Sequence, residues 1–145
     1  MLAGGSDVVI EHNTAFTARS VMMAEGVTNP NFVFQNNLTT HGRYGFGGTG
    51  TPTGLSTLDR YFVGAVFTRN VLIGAGEAAR SYPPGNFTPE GLDQVGFVNA
   101  TGRDYRLGSR SPYRNAGSDG KDIGVDWPTL MENLGPPSAA EEPRS

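Results

Sequence analysis

The side chains in this chain that could do chemistry are few, and their spacing keeps most of them apart. There are two histidines, His12 and His41, and no cysteine, so a zinc-thiolate site and a disulfide are both excluded. Zinc needs three or four converging ligands, and these two histidines occupy different places in the repeat described below. Asp7, Glu11, Glu25, Asp59 and Glu77 also fall at unrelated repeat positions, so no carboxylate pair of the kind used in glycoside hydrolysis is legible. Asp119-Gly120-Lys121-Asp122 resembles a calcium loop only superficially: it lacks the alternating oxygen ligands and the distal glutamate, and reads as a turn. Gly45-Phe46-Gly47-Gly48-Thr49-Gly50 is loosely like a phosphate-cradling loop, but no lysine follows a second glycine and no βαβ context surrounds it. One local cluster remains, His41, Arg43, Tyr44 and Arg60. Aromatic rings and guanidinium groups can stack on or hydrogen-bond to sugars without catalysing anything, so these four are the candidate glycan contacts.

The elements that must position them are set by a repeat. Val8-Val9-Ile10-Glu11-His12-Asn13, Phe32-Val33-Phe34-Gln35-Asn36-Asn37 and Ala65-Val66-Phe67-Thr68-Arg69-Asn70 are three short apolar runs, each ending in asparagine, spaced 24 and then 33 residues apart. Three and five positions before the asparagine stand Ile10, Phe34, Phe67 and Val8, Phe32, Ala65, the period-two set that one strand face buries. Glu11, Gln35 and Thr68, two before, face solvent. Val9, Val33 and Val66, four before, imply either a covered outer face or residues chosen for β propensity. Asn13, Asn37 and Asn70 sit where the strand turns. Asparagine tolerates left-handed backbone, and its amide can bond the equivalent amide one strand spacing away, about 4.8 Å, so the three are expected to form a structural ladder. Asn36, one position before, lies outside it. A second strand follows each turn near residues 14–16, 38–40 and 71–73, and a third follows in two repeats near 21–23 and 44–46. A final run, Val95-Gly96-Phe97-Val98-Asn99, keeps its period only if Ala100 takes the ladder slot, and Thr88-Pro89-Glu90 reads as a helix start.

Composition bounds the rest. A chain of 145 residues predicts one domain, and 21 glycines with 10 prolines make it punctuated without reaching low-complexity disorder. A net charge of −3 leaves no basic surface for nucleic acid, and no stretch reaches the length of a membrane span. Residues 1–6 have neither the basic start nor the apolar core of a signal peptide, and the chain is expected to begin within a longer protein, with upstream coils of a parent chain as partner. Residues 1–127 read as the folded region with a closing segment, and residues 128–145, polar and proline-bearing, as a flexible tail. Asn37-Leu38-Thr39, Asn86-Phe87-Thr88 and Asn99-Ala100-Thr101 match the glycosylation pattern, though a buried ladder asparagine cannot carry a glycan.

Three short strands per repeat, bent by asparagine and glycine, resemble the right-handed parallel β-helix, an all-β, single-stranded solenoid, here of about three to four coils with a C-terminal closing segment. The residues resembling the pectate-lyase-like superfamily are Tyr44-Gly45-Phe46, the run from Tyr61 to Phe67, Tyr82-Pro83-Pro84-Gly85-Asn86-Phe87, Asp104-Tyr105-Arg106-Leu107 and the block from Ser111 through Gly117 to Asp122-Ile123-Gly124. The resemblance is to the C-terminal coils of large secreted bacterial proteins. It implies an extracellular or cell-surface location, polysaccharide as partner, and two alternative roles. One is a non-catalytic structural or carbohydrate-associated region with no cofactor. The other is part of a polysaccharide lyase or glycoside hydrolase acting on acidic polysaccharide, which would bring Ca2+. The cluster around Arg43 lacks acidic partners, which favours the first role, and fold resemblance alone supplies no reaction.

Overall fold

The structure is a computed structural model and describes residues 1–135. Among the described residues ten short strands are joined by two α-helices and two 3₁₀ helices. The first repeat contributes β1 (Val9–Glu11), β2 (Thr14–Ala15) and β3 (Ser20–Ala24), and the second contributes β4 (Val33–Gln35), β5 (Leu38–Thr40) and β6 (Gly45–Gly48). The third contributes only β7 (Val66–Thr68) and β8 (Val71–Ile73), preceded by the helix α1 (Leu55–Tyr61) and followed by a 3₁₀ helix, Gly76–Ser81. Pairing is parallel throughout these repeats, in the orders β1-β4-β7, β2-β5-β8 and β3-β6. The register sets Ile10 beside Phe34 and Phe34 beside Phe67, as well as Leu38 beside Val71.

The expectation of an all-β right-handed parallel β-helix of three to four coils is corrected by this arrangement. The described residues form small parallel sheets of three, three and two strands with helices between them, and the final run, residues 95–99, does not join the parallel pairing. The physical reasons are local. Leu55, Leu58, Tyr61 and Phe62 recur at helical spacing, so the insertion before the third repeat winds into α1, which buries Leu58 and Tyr61. Gly76-Glu77-Ala78-Ala79-Arg80-Ser81 has no β-branched residue and takes a 3₁₀ turn where a third strand would stand. In the last repeat β9 (Phe97–Asn99) folds back on β10 (Asp104–Leu107) as an antiparallel pair. Its turn is held by Gly102 N–H donating to Asn99 Oδ1 (3.0 Å) and by Arg103 in left-handed backbone (φ 62°). No α-helix starts at Thr88: residues 87–89 run extended beside β8, where Leu72 N–H donates to the Phe87 carbonyl and Gly74 N–H to that of Pro89.

Two apolar clusters follow from the strand faces. Phe32, Phe34, Phe46, Phe62 and Phe67 pack with Leu58, Tyr61, Leu72 and Tyr82 inside the three sheets. Their rings stack along the repeat axis, Phe34 on Phe67 at 5.2 Å and Phe67 on Tyr82 at 5.8 Å. On the other face of β5 and β8, Leu38, Val71 and Ile73 meet Val95, Tyr113 and Ile123. The segment from Ser111 to Asp126 therefore closes that side, and a helix, α2 (Trp127–Leu134), follows it where the sequence reading places the start of the tail. The remainder of that tail, residues 136–145, lies outside the described residues. The outer face of β1-β4-β7 is open, with Val9 and Val66 exposed, so the valines there serve strand propensity and cover no second core.

Candidate functional site

The asparagines form a continuous hydrogen-bonded column. Asn13 donates from its backbone N–H and from Nδ2 to Asn37 Oδ1 (3.1 and 3.0 Å), and Asn37 does the same to Asn70 Oδ1 (3.0 and 3.2 Å). Asn70 repeats the pattern onto Asn86 Oδ1 (3.0 and 3.1 Å), which makes Asn86 a fourth rung. The remaining Nδ2 proton reaches back to a carbonyl of the preceding repeat, Asn37 to Ile10, Asn70 to Phe34 and Asn86 to Phe67. The left-handed bend falls one residue earlier than the sequence suggests, at His12, Asn36 and Arg69 (φ 54°, 58° and 55°) and at Gly85 (φ 88°). Asn86 gives no repeat signal because Pro83-Pro84-Gly85 stands where its strand should be. The only clue is the apolar Phe87 after it, matching Leu38 and Val71 after their own rungs.

The four candidate contacts do not gather into one site. His41 is buried, with Nδ1 2.8 Å from the Gly42 carbonyl and Nε2 2.7 Å from the Tyr82 hydroxyl. A carbonyl only accepts, so Nδ1 carries the proton and Nε2 accepts from Tyr82, whose oxygen in turn accepts from Phe46 N–H (3.0 Å). Burial pushes the Tyr82 hydroxyl up to about 12 against the opposing Phe46 hydrogen bond. This network is satisfied within the protein, and His41 has no edge left for a sugar. Arg60, on α1, lies 5.3 Å above the ring of Tyr61. Tyr61 is buried and donates its hydroxyl to the Thr49 carbonyl (2.5 Å), so Arg60 covers a structural ring.

Arg43 and Tyr44 do form an exposed pair, with the guanidinium carbon 5.3 Å from the centre of the Tyr44 ring. Of the two, Tyr44 lines an open groove of about 710 Å³ along β3 and β6, together with Thr17, Arg19 and Ser20 from the first repeat and Thr51 and Thr53 from the second, with Met23 among the lining residues. Backbone bonds set the two walls: Tyr44 N–H donates to the Arg19 carbonyl (2.7 Å) and Arg43 N–H to that of Ala18 (3.1 Å). Gly42 lets them approach, since a Cβ there would fall 2.8 Å from the Arg19 carbonyl oxygen. Small residues keep the groove empty, Gly47 and Gly48 lying along β6 beside Met23 and Ala24. Sequence reasoning missed Arg19. Its signal was position alone, just ahead of the third strand as Tyr44 is in the next repeat.

The lining thus supplies a phenol ring, a guanidinium, hydroxyls and a thioether. Among the described residues no carboxylate or imidazole belongs to it. Among the described residues no three histidine, aspartate or glutamate side chains converge as metal ligands. Asp119 to Asp122 form a turn, in which Lys121 N–H donates to Asp119 Oδ1 (3.0 Å) and Gly117 N–H to the Lys121 carbonyl (2.8 Å). No described helix is long and apolar enough to cross a membrane. Comparison with protein-family models, with curated proteins and with solved structures finds no match for this chain.

Proposed function

We propose that this chain is a non-catalytic structural unit of a secreted or cell-surface protein, and that it contacts carbohydrate through the groove along β3 and β6. The observation that carries this reading is the composition of the groove: Tyr44 and Arg19 line a space of about 710 Å³, and among the described residues no carboxylate or imidazole lines it with them. A tyrosine ring packs against the C–H face of a pyranose, and a guanidinium pairs a uronic-acid carboxylate in two-point fashion. Arg43 stacks over the ring of Tyr44 and brings a second cation next to that lining residue. Acidic polysaccharide is therefore the preferred ligand class. Elimination or hydrolysis would require a positioned proton acceptor or a carboxylate pair, and the lining residues supply neither.

Affinity electrophoresis in gels containing polygalacturonate or a neutral glucan tests this. Retardation by the acidic polymer, reduced by salt and lost in both Tyr44→Ala and Arg19→Ala, is the expected result. Equal mobility in both gels sinks the binding reading. Release of unsaturated oligosaccharides, abolished by Arg43→Ala or Arg60→Ala, replaces it with lyase chemistry.

A further inference from the structure

Each later repeat donates the same backbone N–H groups to the repeat before it, and among the described residues those of the first repeat meet no partner. Val33 N–H donates to the Val8 carbonyl and Val66 N–H to that of Phe32, while Leu38 N–H donates to the Asn13 carbonyl and Val71 N–H to that of Asn37. The counterparts in the first repeat are Val9 and Thr14, and β1 and β2 are the edge strands of their sheets. The asparagine column stops at the same boundary. Asn37, Asn70 and Asn86 each accept on Oδ1 from the rung before, whereas among the described residues no rung precedes Asn13, whose Nδ2 donates to the Glu11 carbonyl (3.0 Å) as well as to Asn37. The core is open there too. A pit of about 330 Å³ lies between Ile10, Val21, Met22 and Phe34, with Asn13 and Asn37 on its rim. The third sheet is already continued past β3: Leu2 lies parallel to Ala24, donating its N–H to the Met23 carbonyl (2.8 Å) and accepting from Glu25 N–H (3.2 Å).

We propose that the edge formed by β1 and β2 is a binding site for an extended polypeptide segment, running parallel to β1, with an asparagine preceded three positions earlier by an apolar residue. Its asparagine donates from backbone N–H and Nδ2 to Asn13 Oδ1, and its backbone carbonyls accept from Val9 and Thr14 N–H. The apolar side chain enters the pit above Ile10, extending the column Ile10, Phe34, Phe67. Main-chain bonds supply the affinity, and the asparagine and the pit supply the selection, as in strand addition at other sheet edges. The occupant is identified by this chemistry alone, and the pit adjoins the groove, with Thr17 and Ser20 lining both.

The probe is a fluorescein-labelled peptide reproducing residues 32–40, Phe-Val-Phe-Gln-Asn-Asn-Leu-Thr-Thr, with terminal lysines for solubility, titrated against the whole chain by anisotropy. Saturable binding is expected. Alanine in place of the peptide's second asparagine should weaken binding about tenfold through loss of the amide bonds. In the protein, Val9→Pro removes an outward-facing N–H from an edge strand, which tolerates proline, and should abolish binding with the circular dichroism spectrum unchanged. Absence of saturable binding overturns the proposal, as does equal affinity for the two peptides. Should Val9→Pro fail to fold, the comparison of the two peptides on the unaltered protein still decides.

Discussion

His12 Nε2 lies 2.7 Å from a carboxylate oxygen of Asp119, and its Nδ1 lies 3.0 Å from the Gly124 carbonyl, so the first repeat is fastened to the closing segment across 107 residues. Both partners only accept, so each bond needs a proton on the ring nitrogen that faces it. Val125 N–H donates to Thr14 Oγ1 (3.0 Å) and Gly124 N–H to the Asn36 carbonyl (2.8 Å), so the same strap touches two repeats.

Asp119→Ala should therefore lower stability modestly. Burial pushes the Asp119 carboxyl up, but the bonds from His12 and from Lys121 N–H outweigh it and hold it below its usual value. A depressed carboxylate stabilises the fold above its unfolded pKa and loses that contribution as pH falls through its folded value. Its side chain is 41% exposed, which keeps the effect below about 1 kcal/mol at neutral pH. Urea midpoints should differ at neutral pH and converge in acid. A gap between wild type and Asp119→Ala that persists unchanged into acid would show that the carboxylate is not the contributing group.

Asn36 and Asn37 should prove similarly sensitive, although only Asn37 belongs to the column. Asn36 is buried with φ 58°, donates to Ser118 Oγ and accepts from Ser118 N–H, both at 2.9 Å. Alanine at either position leaves buried groups unpaired at a cost of about 1–3 kcal/mol. Asn36→Gly should cost less than Asn36→Ala because glycine accepts the left-handed backbone, whereas Asn37→Gly should show no such relief. Denaturant midpoints for the four variants check this, and an Asn36→Ala midpoint equal to wild type would refute it.

Much of the register could be read from the chain because identical residue types stack: Ile10, Phe34 and Phe67 align by sequence and by strand pairing alike. What was not legible depends on contacts far along the chain. The partner of Asn36 is 82 residues away, that of His41 is 41 away, and neither Ser118 nor Tyr82 belongs to the repeat. The loss of the third strand after β6 and the reversal at β9 arise from an Ala-rich turn and from Asn99 and Arg103 at a hairpin, features that a repeat alignment reads as gaps. In the candidate site, Tyr44 was legible as an exposed aromatic. Arg19 was not, because only the pairing of residues 18–19 with 43–44 sets it across the groove.

Tyr82→Phe should destabilise the protein by about 1–3 kcal/mol, because it leaves His41 Nε2 and Phe46 N–H buried without partners. The hydroxyl also makes the fold sensitive to alkali. Its folded pKa of about 12 lies above the ordinary 10.0, so the unfolded chain ionises first and stability falls as pH rises through that interval. Thermal melts of wild type across that range should drop more steeply than those of Tyr82→Phe. Parallel slopes would assign the alkaline loss to another tyrosine, Tyr113, which burial also shifts upward.

Asp126 controls the start of α2. It caps the helix by accepting from Thr129 N–H (3.2 Å) and Thr129 Oγ1 (2.8 Å), and it pairs with Lys121 Nζ (2.7 Å). The Lys121 hydrogen bond, followed by those from Thr129, draws its carboxyl from 3.8 down to about 2. A lowered carboxylate stabilises above its unfolded pKa and loses that contribution as pH falls through the folded one, so the helix should fray between about pH 4 and about pH 2. Trp127 opens α2 and reports the event by fluorescence. The wild-type signal should change in that window, and Asp126→Asn, which keeps a capping oxygen but no charge, should show no transition there. An identical acid transition in Asp126→Asn would mean that the tryptophan follows general acid unfolding and that the cap does not govern α2.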